Sequence, residues 1–450
     1  MKSDFLLTTE LEARLFESVR DLPLIDWHNH LSLKELAENR PCPDLTALWV
    51  ASDPYKHRAM RICGEKEEFI TGDASPHEKF LAWSRTLPKL PGNPLYHWSR
   101  LELERIFGIE EELTPATAER IWRHANLLLK RAEFTPRGIL ERFNVEYAAP
   151  CTTFGETLPD LSDVCGIVPS LRGDDLVSLT AKTVTHSADL KELRVKLEAG
   201  LEKLHAAGCR VADHALDAGF TYFPDDGKNE ERFLKFKADQ LPGEEKKKLS
   251  SAVLRLLCAL YAKLGWVVQF HAGALRQTST RLRRLTGPVG GYAGIGNSTD
   301  VKSLCVLLDE LDDSPEGLPR IFLYTLNPAD YAMFSVLSGS FPGNGEAGKL
   351  MPGPAWWYCD HISGMRACFE NAASFSVLSL FPGMTTDSRS LLSLVRHEYF
   401  RRVFCSWLGE KAAADEMPRD LTILADLARK VCYGNAKEIF VRQQNGGTVK

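Results

Sequence analysis

The stretch LPLIDWHNHL, Leu22 to Leu31, starts as a buried apolar strand and ends with two histidines one residue apart. Side chains alternate across a strand, so His28 and His30 point the same way and their rings can converge on one ion. Histidines that lie close together are also common as ordinary surface or hydrogen-bonded residues. The motif alone leaves both interpretations open, and the rest of the chain must decide between them.

Short apolar runs like the first one recur along the chain, and helical patterns separate them. The predicted strands cover residues 23–28, 145–153, 166–172, 209–216, 266–273, 320–327, 350–358 and 381–389. Strands that alternate with helices pair in parallel through crossover connections. Polar residues end most of these runs, among them Thr152, Thr153, His214 and Asn327. Because such residues surround a full ring, we predict an α/β fold of the (β/α)8 TIM-barrel type.

More than 100 residues separate the first two predicted strands, which is far more than one crossover helix requires. Helical patterns fill this interval. We therefore predict a helical subdomain at residues 34–140, inserted in the first βα loop above the active face. Residues 1–33 and 141–450 then form the catalytic barrel.

The composition excludes several classes of protein. The 450 residues are 44% apolar and 26% charged, which is typical of a globular chain with a large core. A net charge of −5 with mixed signs disfavours a nucleic-acid partner, and no apolar stretch is long enough for a membrane span. The 11 cysteines form no CxxC pattern and follow no apolar leader sequence, so we expect reduced thiols and a cytoplasmic location.

Two further residues extend the His28–His30 pair into a candidate site. His271 ends the fifth predicted strand and Asp387 ends the eighth, so a barrel brings all four residues to one mouth. Nitrogen and oxygen ligands of this type suit one divalent ion, zinc, manganese or iron. His271 could instead be an ordinary hydrogen-bonded residue, and Asp387 could cap the following helix. The metal hypothesis is favoured because all four fall at strand ends on one rim.

Several longer motifs carry a resemblance to a known family. DWHNHLS, LNPAD, GMTTDSRS, RHEYFRR, CYGNAKEIF and the long block from Asp73 to Ile109 resemble the uronate isomerase (glucuronate isomerase) family of the amidohydrolase superfamily. The similarity covers nearly the whole chain. It implies a cytoplasmic enzyme, which we expect to be a homo-oligomer, that converts D-glucuronate to D-fructuronate, D-galacturonate to D-tagaturonate, or both. The reaction would transfer a proton between C2 and C1, and the need for the metal is left open.

One alternative enzyme class stays open at this point. Hydrolases of the superfamily usually need a histidine on the sixth strand, but no histidine occurs between His271 and His361. That absence disfavours a binuclear hydrolase. A mononuclear metal-dependent hydrolase of a sugar lactone or amide remains the alternative, and a sugar-acid-binding protein without activity is the third hypothesis.

The resemblance also implies roles for individual residues. Asp387 would be the carboxylate base and Tyr55 would handle a proton at O1 or O2, with His30 and His271 assisting. The arginines would bind the substrate's carboxylate, and the tryptophans would pack on the carbon chain of the sugar. These substrate-binding residues are Arg172, Arg389, Arg276, Trp356 and Trp357. Each has an ordinary alternative, because a helix tyrosine or a tryptophan pair often packs in the core and arginines often form surface ion pairs.

The sequence departs from the family pattern at four positions. Pro54 stands where the family has histidine before the tyrosine, and Phe154 and Gly155 replace a pair of aspartates. Asn297 replaces a further aspartate. These changes affect the expected substrate more than the expected type of reaction.

Overall fold

The computed structural model describes residues 4–164, 166–288 and 290–441. The strands in that part of the chain are β1 Leu24–Asn29, β2 Val145–Thr153, β3 Ser170–Arg172, β4 Val211–Leu216, β5 Val267–Ala272, β6 Ala274–Leu275, β7 Gly294–Ile295, β8 Arg320–Thr325 and β9 Leu350–Pro352. Seven of them form one parallel sheet in the order β1-β2-β3-β4-β5-β8-β9. β6 and β7 form a short antiparallel pair just beyond β5.

The eighth predicted strand, residues 381–389, is an irregular segment beside β1. The His30 N–H donates to the Ser388 carbonyl at 2.8 Å, and the Asp387 N–H donates to the His28 carbonyl at 3.1 Å. Regular pairing is interrupted because φ is 47° at Asp387 and 98° at Gly383. The curled parallel sheet and this segment build the α/β barrel, so the predicted fold class is confirmed.

Two predicted strands are shorter in the structure. Residues 350–358 retain only Leu350–Pro352 as a strand, because Pro352 and Pro354 have no N–H to donate to a neighbouring strand. Residues 166–172 retain only Ser170–Arg172, preceded by one isolated bridge between Ala148 and Ile167.

Helices surround the sheet. They are α1 Glu10–Glu17, α2 Leu33–Glu38, α3 Leu45–Trp49, α4 Pro54–Ile62, α5 Pro76–Thr86, α6 Pro94–Phe107, α7 Ala118–Leu128, α8 Pro136–Arg142, α9 Asp174–Val177, α10 Lys182–Thr185, α11 Leu190–Ala206, α12 Asn229–Lys237, α13 Gly243–Leu264, α14 Thr280–Thr286, α15 Val301–Asp312, α16 Tyr331–Ser340, α17 Ile362–Phe375, α18 Val395–Ala413 and α19 Leu421–Arg429. Short 3₁₀ turns cover Glu67–Phe69, Leu87–Lys89, Ala132–Phe134, Pro328–Asp330, Leu378–Leu380 and Leu391–Leu394, and π-helical turns cover Lys430–Gly434 and Lys437–Val441. None of the helices in the described residues is both long and apolar enough to cross a bilayer.

Helices α2 to α8 lie between β1 and β2. Several start with a capping residue followed by proline, as at Asp53–Pro54 and Asn93–Pro94, because proline suits the first helical position and the cap satisfies a free N–H. Trp83 of α5 and Trp98 of α6 belong to the same buried cluster as Phe400 of α18. Helix α6 packs directly on α18, where the ring centroids of Trp98 and Tyr399 lie 6.2 Å apart. The description of residues 34–140 as a separate subdomain stays a prediction.

A second group of aromatic residues fills the barrel itself. Trp27 of β1 stacks on Phe440 with ring centroids 5.1 Å apart, and Phe322 of β8 contacts both rings. This packed interior leaves the carboxyl ends of the strands as the place for a polar cavity.

Candidate active site

The carboxyl ends of the strands border a cavity of about 290 Å³. Every residue that the sequence singled out for the site lines it: His28, His30, Tyr55, Arg172, His271, Arg276, Trp356, Trp357, Asp387 and Arg389. They come from β1, β3 and β5, from α4, and from the segments that follow β1, β6 and β9 and precede α18. The fold therefore brings the whole set together, while the chemical role of each member stays a prediction.

The rings of His28 and His30 converge on the carboxylate of Asp387. Oδ1 of Asp387 lies 3.3 Å from Nε2 of His28 and 3.0 Å from Nε2 of His30. Oδ2 accepts a 2.7 Å hydrogen bond from the indole N–H of Trp356. Burial by itself would raise the pKa of the Asp387 carboxyl, but the hydrogen bonds from both histidines hold that pKa well below its usual range. The carboxylate is therefore ionised at neutral pH.

The backbone of Asp387 places this carboxylate. Its φ of 47° lies in the left-handed region, where aspartate is tolerated better than most residues. The helix-capping alternative considered from the sequence is wrong, because Ser390 caps the turn that follows and accepts a hydrogen bond from the Leu392 N–H. An unusual backbone conformation at a polar residue in a cavity is typical of functional sites.

His271 packs beside the same group and keeps one ring nitrogen unpaired. Its ring centroid lies 4.7 Å from that of His28 and 4.6 Å from that of Trp356. Nε2 is buried and has no hydrogen-bond partner in the described part of the chain, while Nδ1 lies 3.8 Å from Oδ2 of Asp213. Burial, followed by the nearby His28, lowers the pKa of His271 well below its usual value. The ring is therefore neutral, as a metal ligand must be.

Two donor residues that the sequence analysis missed, Cys151 and Asp213, complete possible metal-binding groups. The ligand atoms of His28, His30 and Cys151 lie within 4.8 Å of one another. The same holds for His28, Asp213 and His271. Burial and the Asp213 carboxylate would raise the pKa of the Cys151 thiol, but the two histidines outweigh them and lower it to about 7. Imidazole, thiolate and carboxylate donors together suit a divalent transition metal, so the residues present fit the predicted ion.

Sequence alternation explains why these two residues were missed. Asp213 precedes His214, and adjacent strand residues point to opposite faces. The ring of His214 turns away from the cavity and pairs with the Tyr261 hydroxyl at 3.1 Å. Cys151 likewise precedes Thr152, the residue noted at that strand end. The apolar runs located both strand ends, but they did not show which face of each strand borders the cavity.

The three predicted arginines differ in their pairing. Nε of Arg172 donates to Asp174 at 3.0 Å, and Nε of Arg276 donates to Asp217 at 2.8 Å. Arg389 makes no hydrogen bond or ion pair with any residue that the structure describes, and burial lowers its pKa. A partly desolvated guanidinium without a partner is a favourable site for an anionic ligand.

Tyr55 reaches the cavity from the first turn of α4. Its hydroxyl lies 3.0 Å from both carboxylate oxygens of Asp360 and accepts a hydrogen bond from the Tyr358 N–H at 3.1 Å. Burial, followed by the Asp360 charge, raises the pKa of Tyr55 well above its usual value, so the phenol is protonated. Asp360 was not identified from the sequence, because it lies in the irregular segment between β9 and α17.

A glycine-containing loop covers the cavity on the side of α4. Pro288, Gly290, Gly291 and Ala293 line the cavity, and a guanidinium N–H of Arg58 donates to the Ala293 carbonyl at 3.1 Å. A Cβ at Gly291 would lie 2.2 Å from the carbonyl oxygen of Pro54, and φ at Gly291 is 74°. Only glycine permits this close approach of loop and helix.

Of the four departures from the family pattern, Pro54 is the one that borders the cavity within the described residues. The Phe154 ring packs against Gly200 of α11, where a Cβ would lie 2.1 Å from the ring. Asn297 is exposed. Any change in substrate preference that these departures cause is therefore expected to act through Pro54.

Comparisons with known proteins agree in the family that they indicate. A sequence profile described as Glucuronate isomerase matches residues 1–440. The chain is 40% identical to the uronate isomerase of Vibrio vulnificus, with 97% of this chain and 98% of the relative covered. It is 38% identical to that of Actinobacillus succinogenes, with coverage of 98% and 99%. The crystal structure of the uronate isomerase from Thermotoga maritima is similar over 98% of this chain and 99% of that one, with a TM-score of 0.90 and 30% identity.

Proposed function

The chain belongs to the glucuronate isomerase family, and on that premise we propose that it interconverts a hexuronate with the corresponding ketose. The candidate pairs are D-glucuronate with D-fructuronate and D-galacturonate with D-tagaturonate. The observation that carries this proposal is the convergence in one cavity of an ionised carboxylate paired with two imidazoles, the neutral imidazole of His271, a phenol and a guanidinium that has no partner in the described residues. The family relationship favours isomerisation over the lactone or amide hydrolysis considered from the sequence.

Moving a proton between C2 and C1 needs a base near the carbon atoms and acid groups near the oxygens. Asp387 is ionised and is our candidate for the base. His30, whose Nε2 lies 3.0 Å from the carboxylate, holds Asp387 in place and can share the proton. His271 adds a neutral imidazole whose ring centroid lies 4.7 Å from that of His28. Tyr55 supplies a hydroxyl at the wall of the cavity for the exchange at O1 and O2.

We propose that His28, His30, His271 and Asp387 hold one divalent ion, and that the thiol of Cys151 adds a soft donor beside them. The mixture of nitrogen and sulfur donors favours zinc over manganese or iron. When bound, such an ion polarises substrate oxygens as a Lewis acid. Elemental analysis of the purified protein measures which metal is present and in what ratio.

The substrate's carboxylate needs a cation, and Arg389 is the best candidate because its guanidinium has no partner in the described residues. Arg172 and Arg276 also line the cavity, but each is held by an aspartate. The ring of Trp357 is half-buried, and the Arg276 guanidinium lies 5.9 Å from its centroid. Together with Trp356 it offers an apolar wall for the carbon chain of the sugar.

Isomerisation in heavy water tests the proposal. The protein is incubated with D-glucuronate, D-galacturonate and uronolactones, and ketose formation and deuterium incorporation are followed by NMR. A ketose product with deuterium at C1 supports transfer through an enediol, whereas a ketose without deuterium supports a hydride shift or a shielded proton. Release of free acid from the lactones with no ketose would contradict the isomerase proposal.

Three properties of the whole chain complete the proposal. We propose a cytoplasmic location, supported by the described cysteines, which are all free thiols. We also propose a homo-oligomer, which light scattering on the purified chain can measure. The inserted subdomain, residues 34–140, is supported by the run of helices from Leu33 to Arg142 between β1 and β2.

A further inference from the structure

A buried carboxylate lies directly behind Tyr55, outside the cavity. Both oxygens of Asp360 lie 3.0 Å from the Tyr55 hydroxyl, and the residue is only 5% exposed. Asp360 is not among the residues that line the cavity, whereas Tyr55 is. The Tyr55 hydroxyl therefore connects Asp360 to the cavity.

A positively charged side chain, Arg396, lies against Asp360. A guanidinium nitrogen of Arg396 lies 3.5 Å from Oδ2, and Arg396 is itself 2% exposed. The same guanidinium packs 4.0 Å from the centroid of Trp98 and 5.2 Å from that of Tyr55. Burial raises the pKa of Asp360 to about 6, although Arg396 and the Tyr55 hydrogen bond act to lower it. The carboxylate can therefore take up a proton near neutrality, and the Arg396 guanidinium then keeps its hydrogen bond to the Thr386 carbonyl at 3.3 Å.

The hydrogen-bonding capacity of a phenol limits what Tyr55 can do. A tyrosine hydroxyl has one proton to donate and two lone pairs that accept. In the structure the proton is directed to Asp360, and the Tyr358 N–H occupies one lone pair at 3.1 Å. One lone pair remains, so Tyr55 meets a substrate hydroxyl in the cavity as an acceptor. A proton received there can be passed on, because the acceptor for the second transfer is already in contact.

We propose that Asp360 is a positioning residue for the proton exchange at O1 and O2: it acts through Tyr55, and the two groups together form a proton relay. The proposal rests on the isomerase function proposed above. When the hydroxyl on one carbon becomes a carbonyl, its O–H bond breaks and the proton passes to Oη of Tyr55. The phenolic proton of Tyr55 passes at the same time to Asp360, so Tyr55 stays neutral.

The return step completes the balance. As the neighbouring carbonyl oxygen becomes a hydroxyl, Asp360 gives its proton back to Tyr55, and Tyr55 donates its own to that oxygen. One O–H bond is broken and one is formed, and both protein groups end as they began. The carbon-bound hydrogen is handled separately, by the groups around Asp387.

A double-mutant cycle tests the relay. Asp360→Asn and Tyr55→Phe are each expected to lower kcat about tenfold or more, with KM for the hexuronate changed by less than about twofold. If Asp360 acts through Tyr55, the double variant has the same kcat as Tyr55→Phe alone. A double variant in which the two losses multiply, or an Asp360→Asn variant with the kcat of the original chain, would overturn the relay.

Asp330→Asn is the matched control. Asp330 is fully buried and accepts hydrogen bonds from the N–H and the hydroxyl of Thr299 at 3.0 and 2.9 Å, but it does not line the cavity. This variant is expected to lower the melting temperature while keeping kcat, because it removes a structural carboxylate of similar burial. Circular dichroism establishes that each variant is folded before its rate is compared.

A second measurement keeps the relay testable should Asp360→Asn fail to fold. Transfer of two protons between oxygen atoms gives the original chain a larger solvent deuterium isotope effect on kcat than the Tyr55→Phe variant. Equal isotope effects would overturn the relay. If the original chain forms no ketose, the isomerase proposal itself fails; if it forms ketose but the cycle is multiplicative, the relay alone fails.

Discussion

Replacement of Arg389 by methionine tests how the cavity recognises an acid. The guanidinium lines the cavity and has no hydrogen-bond or ion-pair partner in the described residues, so its removal breaks no hydrogen bond or ion pair among them. Methionine keeps most of the side-chain volume and removes the charge. We therefore expect the Arg389→Met variant to fold normally, with a melting temperature close to that of the original chain.

The size of the effect follows from the contact that is lost. A hydrogen bond between charged groups contributes about 1.5–3 kcal/mol. Since each 1.4 kcal/mol corresponds to a factor of ten, the KM for a hexuronate is expected to rise about 10- to 150-fold. A neutral aldose of the same configuration has no carboxylate to lose, so its binding should change little.

Steady-state kinetics measure the prediction. KM and kcat are determined for D-glucuronate and D-galacturonate, and the neutral aldose is tested as a competitive inhibitor. Arg172→Met serves as a comparison, since its loss also leaves Asp174 without its 2.9 Å ion pair and is expected to lower the melting temperature as well. An Arg389→Met variant that weakens hexuronate and neutral aldose equally would refute the assignment of the carboxylate to Arg389.

Three further predictions concern the site and its cover. Asp387→Asn is expected to lower kcat by about 10²- to 10⁴-fold with the fold retained, and retention of most activity would remove Asp387 as the base. Adding Zn²⁺ to metal-free protein should raise the melting temperature in a thermal-shift assay, since the ion binds the folded chain, and His271→Asn should reduce that rise; no shift with Zn²⁺, Mn²⁺ or Fe²⁺ would contradict the metal site. Gly291→Ala and Gly287→Ala both place alanine at positive φ, at 74° and 73°, and each is expected to cost about 1–3 kcal/mol of stability. Gly291→Ala alone also forces a Cβ to 2.2 Å from Pro54, so it should lower the melting temperature further and raise KM; equal effects in the two variants would count against the loop as a tight cover.

Residues at the ends of regular strands were predictable from the sequence. His28, His30 and His271 follow apolar runs that form β1 and β5, and in a parallel barrel all strand ends of one polarity meet on one face. The same reasoning did not identify Cys151 and Asp213, because each is adjacent at its strand end to a polar residue whose side chain points to the other face of the sheet. Which neighbour points inward depends on the register and bulges of the closed sheet, such as the register shift between Asp26 and Asn29 in β1.

The sequence by itself determined the order of the elements, the barrel class and the strand-end site residues His28, His30, His271 and Asp387, because strand and helix periodicity and strand polarity are local properties of the chain. The other predicted residues that line the cavity came from the resemblance to the family. Only the tertiary structure decided which groups are paired. Asp360 contacts Tyr55 across 305 positions of sequence, and Asp174 and Asp217 occupy two of the three arginines while Arg389 has no such partner in the described residues. Hydrogen bonding, burial and the pKa values that follow from them depend on distances of a few ångströms between segments far apart in the chain, and no local pattern encodes those distances.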